Sequence, residues 1–163
     1  MLIHGVIGGL TLLGLSRSMG KWIAWVGFGL IMLHVIFCTA FTVKAVKSGQ
    51  ISGKWYLREN ALFWARRISG LCILVLVFFH FGLFGHMTAK GYVLYEFTTM
   101  RLAVQLLLGA SLFTHIFINI RPLFISFGIP GYKKYKISVF FALSVFLLFC
   151  TTAVVCYYAG ILL

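Results

Sequence analysis

The sequence is short of charge, and acid is the scarcest part of it. Charged residues make up 10% of the 163, and only two are acidic, Glu59 and Glu96. A soluble domain of this size cannot cover its surface with so little charge, so a water-facing globular fold is excluded. No carboxylate lies inside an apolar run, so a transmembrane proton path built on a buried glutamate is not expected. There is no CxxC pair. Cys38, Cys72, Cys150 and Cys156 all sit in apolar stretches, which argues against a zinc site or a disulfide framework and makes them small buried hydrophobes. The N-terminal stretch lacks a basic lead. The first cation, Arg17, follows the first apolar run, the reverse of the order in a cleaved signal peptide.

What remains is apolar. Hydrophobic residues are 62% of the chain, which predicts an integral membrane protein in a single domain over residues 1–163. Five helices are predicted, at 2–16, 22–45, 66–88, 101–120 and 136–162. The first is short. Its apolar core covers about 21 Å against a hydrocarbon layer of roughly 30 Å. The fold class expected is therefore an all-α bundle of five transmembrane helices. GIPGYKKYK, 128–136, reads as the turn between the last two. Tyr and Trp residues near the run ends suit an interfacial belt.

The 14 Lys and Arg could suggest nucleic acid, but they lie between apolar runs, where membrane loops collect them, so no nucleic-acid partner is expected. Loop 44–67 carries Lys44, Lys47, Lys54, Arg58, Arg66 and Arg67, and loop 121–136 carries Arg121, Lys133, Lys134 and Lys136. The remaining four are Arg17, Lys21, Lys90 and Arg101. Ten against four predicts those two loops, and the N-terminus, on the cytoplasmic side of an inner membrane.

Histidine is the residue type that calls for chemistry. His4, His34, His80 and His115 fall one in each of the first four runs, with His86 near the end of the third. An ionisable side chain inside a bilayer is costly and marks function more often than packing. Counted along helices two and four, His34 lies about 18 Å deep and His115 about 20 Å deep. Two imidazoles at one level on separate helices suit bis-histidine ligation of a haem. Gly27, on the face of His34, and Ser111, one turn before His115, would give the ring room. His80 is expected about 12 Å from the outer face, whereas His4 counted back from Arg17 falls about 20 Å deep, level with His34 and His115. On that count, His4 would have to shift by about 6–8 Å to meet His80. His86 would lie on the same helix as His80, on another face. Arg66 and Ser69 share the face of His80 at the cytoplasmic mouth of the bundle, placed to hold haem propionates or a quinone oxygen, with Arg67 on another face.

Arg66-Arg67-Ile68-Ser69-Gly70 followed by His80 resembles the membrane cytochrome b subunits of succinate dehydrogenases and fumarate reductases. The order of histidines over nearly the whole chain resembles their di-haem, five-helix branch. The resemblance implies that His34 and His115 ligate an inner haem b, with His80 and a first-helix histidine holding an outer one. It further implies flavoprotein and iron–sulfur subunits as partners on the cytoplasmic face, electron transfer to or from membrane quinone, and surrounding membrane lipid. The family's first-helix ligand lies late in a full helix, whereas this chain offers His4, early in a short one. Two rivals stand beside this reading. One is the cytochrome b of a hydrogenase or formate dehydrogenase, which would pair its histidines differently. The other is a haem-free small transporter or assembly protein.

Overall fold

The computed structural model describes residues 2–16, 20–53, 60–81, 85–89 and 91–160. Readings that rest on Arg17, Lys54, Arg58, Glu59 and Lys90 lie outside them. Five helices are present among the described residues: α1 (Leu2–Leu12), α2 (Gly20–Ser52), α3 (Ala61–His80), α4 (Thr99–Ser126) and α5 (Tyr132–Tyr158). A short antiparallel hairpin, β1 (Gly85–Thr88) and β2 (Gly91–Leu94), follows α3.

Helices α2 to α5 are each long and apolar enough to cross a membrane. Their large side chains face outward: Trp22 is 81% exposed, Ile137 79% and Ile51 88%. Such a surface is stable only with lipid as the solvent. The 33 residues of α2 span about 50 Å, well beyond a hydrocarbon core of roughly 30 Å, so one end of it projects past the apolar layer.

Several boundaries correct the sequence reading: the second helix continues to Ser52 rather than 45, and the third begins at Ala61 rather than 66. The first helix stops at Leu12 rather than continuing to residue 16. Gly14 adopts φ 71°, and Leu15 N–H donates to Leu10 O at 2.9 Å while Gly14 N–H donates to Thr11 O at 3.1 Å. This Schellman cap satisfies the last carbonyls and turns the chain away. At 11 residues α1 is about 16 Å long, too short to span, so four helices rather than five have the length to cross, and the cytoplasmic N-terminus expected from five crossings loses its basis. The third helix ends at His80, not near 88, and His86 lies in β1 rather than on a helix. The fourth runs through Pro122 to Ser126 instead of stopping at 120.

Pro122 has no N–H, so the carbonyl of Ile118 loses its helical partner. Inside a bilayer that group must be satisfied by protein. Arg66 Nε donates to Ile118 O at 3.4 Å, bridging α3 to α4 at the break. The same two helices meet at Ser69 with His115 and at His80 with Gln105. The pairing fixes them as antiparallel neighbours, and theirs is the closest packing in the bundle. Ile73, Val77 and Leu108 fill the seam, flanked by Phe28, Leu76 and Leu112.

α1 lies on α5 through its glycines. A Cβ on Gly5 would sit 2.6 Å from Phe146, and one on Gly9 would sit 2.5 Å from Phe149. The Gly5-x-x-x-Gly9 spacing is a small-residue helix contact, which lets two backbones approach closely. α2 touches the bundle least. Its contact with α3 is aromatic, with Phe28 and Trp25 against Phe81 at 4.9 and 6.0 Å and Phe28 against Phe78 at 6.5 Å.

The Pro122 break generates a double-mutant test. Arg66→Met should leave the Ile118 carbonyl unsatisfied and lower stability in detergent by about 1 kcal/mol. Pro122→Ala restores an N–H for that carbonyl, so Arg66→Met should cost clearly less in its background. Equal costs in both backgrounds, read by thermal unfolding, would show that the bridge contributes nothing.

Candidate functional site

Four of the five histidines form two pairs. The ring centroids of His34 and His115 are 6.4 Å apart with planes at 87°. Those of His4 and His80 are also 6.4 Å apart, with planes at 90°. The first pair joins α2 to α4, and the second joins α1 to α3. Eleven residues separate Ser69, which touches the first pair, from His80 in the second, a rise of about 16 Å along α3. The two pairs are therefore stacked at two heights, with the apolar Ile73–Val77–Leu108 core between them.

His34 and His115, expected at one depth, are neighbours. The count for His4 requires correction. It ran from Arg17, but α1 ends at Leu12, so His4 lies eight residues, about 12 Å, from the helix end. That is the height expected for His80, and no outward shift is needed. The glycine contact with α5 holds α1 at that height.

A metal held at about 2 Å from one nitrogen of each of two imidazoles puts the ring centroids about 6 Å apart. Edge-to-face packing of aromatic rings gives similar spacings, so the distance does not decide by itself. The hydrogen bonds carry more information. A neutral imidazole has one N–H and one acceptor nitrogen. Ser69 Oγ donates its only proton to Arg66 O at 3.1 Å, so towards His115 Nδ1, at 3.0 Å, it accepts. That leaves the Nε2 of His115 as the lone-pair nitrogen. His80 Nδ1 lies 3.0 Å from Gln105 Oε1, an acceptor, which gives the same tautomer. The Cys38 thiol sits 3.4 Å from His34 Nε2, on the nitrogen that a ligating His34 would turn to a metal, so this contact would be given up on ligation. Two rings, His115 and His80, are thus set with Nε2 as the donor atom towards a metal, and outer partners of this kind orient metal-ligating histidines.

The Arg-Arg-Ile-Ser-Gly stretch can now be read residue by residue. Arg66 repairs the Pro122 break. Arg67 lies over the Phe63 ring at 4.9 Å, and its Nε is buried with no hydrogen-bond partner among the described residues. An orphaned guanidinium donor near His115 is receptive to a carboxylate, so Arg67 joins Arg66 as a candidate, although its helical position pointed elsewhere. Ser69 is buried and sets the His115 tautomer. Gly70 makes room, since a Cβ there would stand 3.4 Å from His115 Cε1. A Cβ on Gly27 would have no heavy atom within 4 Å, and Gly29 beside it is equally open, so this space does not single out Gly27. Ser111 is half-buried on α4, one turn from His115.

Sequence reasoning missed Gln105 and Cys38. Gln105 is a neutral amide inside an apolar helix, and its cost there was the available signal. Cys38 lies one turn after His34, which is contact spacing on a helix. At the other end of the bundle, His86 stacks on Tyr95 at 5.2 Å and the Arg101 guanidinium lies 5.2 Å from the Tyr95 ring. The hairpin is tied to α5 by Leu94 N–H donating to Tyr157 Oη at 2.9 Å. Among the described residues no three His, Cys, Asp or Glu side chains converge. Comparison of the chain with known protein families, characterised proteins and solved structures finds no match.

The tautomers can be read directly. In ¹⁵N-histidine-labelled apoprotein, NMR should show His115 and His80 protonated at Nδ1 and bare at Nε2. Ser69→Ala should return His115 to a mixed or Nε2–H form without altering His80. A wild-type His115 protonated at Nε2 would contradict the assignment.

Proposed function

We propose that this chain is a di-haem cytochrome b of the succinate dehydrogenase and fumarate reductase type, a membrane anchor passing electrons between a docked iron–sulfur subunit and membrane quinone. The observation that carries the reading is the pair of histidine pairs, each at 6.4 Å, with His80 and His115 each partnered at Nδ1. Each site offers two imidazoles and no third protein ligand among the described residues. Two axial nitrogens suit an iron whose remaining positions are filled by a macrocycle, and do not suit a closed four-ligand ion site. Haem b, when bound, supplies one-electron transfer in the low-dielectric core.

The residues of the chain have separate tasks in this reading. His34 and His115 would hold the haem nearer the basic end of the bundle, and His4 and His80 the one nearer the hairpin. Ser69 and Gln105 keep their partner rings oriented. Arg67, whose Nε has no partner among the described residues, and Arg66, with four further N–H donors, would meet propionates or a quinone oxygen at the basic end. The core between the pairs is apolar and carries no titratable side chain, so it would offer no proton relay between two bound haems.

The same end suits docking of the soluble partners. Lys44 and Lys47 lie on the part of α2 that outruns the apolar layer, and Lys133, Lys134 and Lys136 open α5. By the charge rule this end faces the cytoplasm. Crosslinks from Lys47 or Lys133 in native membranes should reach a flavin- or iron–sulfur-containing subunit. Crosslinks found only within this chain would sink the docking half of the proposal.

The ligands are tested by substitution. His34→Ala and His115→Ala should each remove one low-spin component from the reduced α-band and leave the other. His4→Ala and His80→Ala should remove the complementary component. A spectrum unchanged in all four variants would end the cytochrome reading.

A further inference from the structure

We infer that Gln105 is a positioning residue that lowers the reduction potential at the His4–His80 site, making it electronically unlike the His34–His115 site. The inference rests on the haem reading above and extends it to a residue of α4 that ligates nothing.

Gln105 lies six residues into α4, between leucines, valine and alanine. A side-chain amide facing an apolar layer is costly unless it is partnered. Its carbonyl oxygen is 3.0 Å from His80 Nδ1, across the α3–α4 seam. The matching position at the other site is the Ser69 hydroxyl, 3.0 Å from His115 Nδ1. The two acceptors are chemically different. Ser69 is a hydroxyl already donating to Arg66 O, whereas Gln105 presents an amide carbonyl, the stronger acceptor. A stronger acceptor on Nδ1–H raises the basicity of the ring, and a more basic ligand favours the oxidised metal. His80 is therefore the more electron-rich of the two ligands, and its site should titrate lower than it would without Gln105.

The test is a potentiometric titration of the α-band in the purified, haem-loaded chain, using wild type, Gln105→Leu and Gln105→Glu. Leu removes the acceptor at similar volume and should raise one midpoint. A tenfold change in the oxidised-to-reduced ratio at fixed potential, about 59 mV for one electron, is the size to expect. Glu keeps an acceptor of greater strength and should move the same component down. The component that moves should be the one His80→Ala removes, while the His34–His115 component stays in place. A general packing defect would not move one midpoint in two directions. If Gln105→Leu fails to retain haem, the downward shift in Gln105→Glu carries the test alone. Unmoved midpoints with haem content intact, or both components moving together, would overturn this inference and leave the cytochrome reading standing. If His80→Ala removes no haem, that reading falls, and this inference with it.

Discussion

A polar group in lipid must find a partner inside the protein, and the α3–α4 seam is built from that requirement. Three contacts cross it in register: Arg66 to Ile118 O, Ser69 to His115 and His80 to Gln105. The first repairs a proline break, and the other two orient imidazoles. Apolar packing between helices contributes little net driving force in a bilayer, because lipid tails are as apolar as leucine. These polar contacts therefore supply the specificity that fixes which helices are neighbours and at what height. The rest of the bundle is arranged around the seam. α2 brings His34 to one side of it, and α1 brings His4 to the other.

Two features that look like defects serve the arrangement. Pro122 would ordinarily end a helix, yet α4 continues because an arginine from α3 takes over the lost hydrogen bond. The brevity of α1 would ordinarily disqualify it as a membrane element. Its length instead sets the height of His4, and its glycines hold it on α5 close enough for His4 to face His80.

Much of this was legible in the sequence, and the misses have physical causes. The four long apolar runs announced themselves by length alone, and equal helical depth paired His34 with His115. The height of His4 was misjudged because the count began at a charge rather than at a helix end. Gly14, which fixes that end, is a single residue whose role depends on backbone conformation. The hairpin after α3 was hidden because its residues continue an apolar pattern that also suits a helix. The extension of α4 past Pro122 could not be read locally, since its cause is a side chain 52 residues upstream. Arg67 stands on another face from Arg66, as helical angles give it; what they do not give is that its Nε is buried without a hydrogen-bond partner among the described residues.

The central claim is that this bundle holds two bis-histidyl haems at two heights. The most direct measurement is the haem-to-protein ratio of the purified chain, taken by reduced pyridine haemochromogen against amino-acid analysis. The account predicts two b-type haems per chain. A ratio of one or none in fully loaded protein would contradict it.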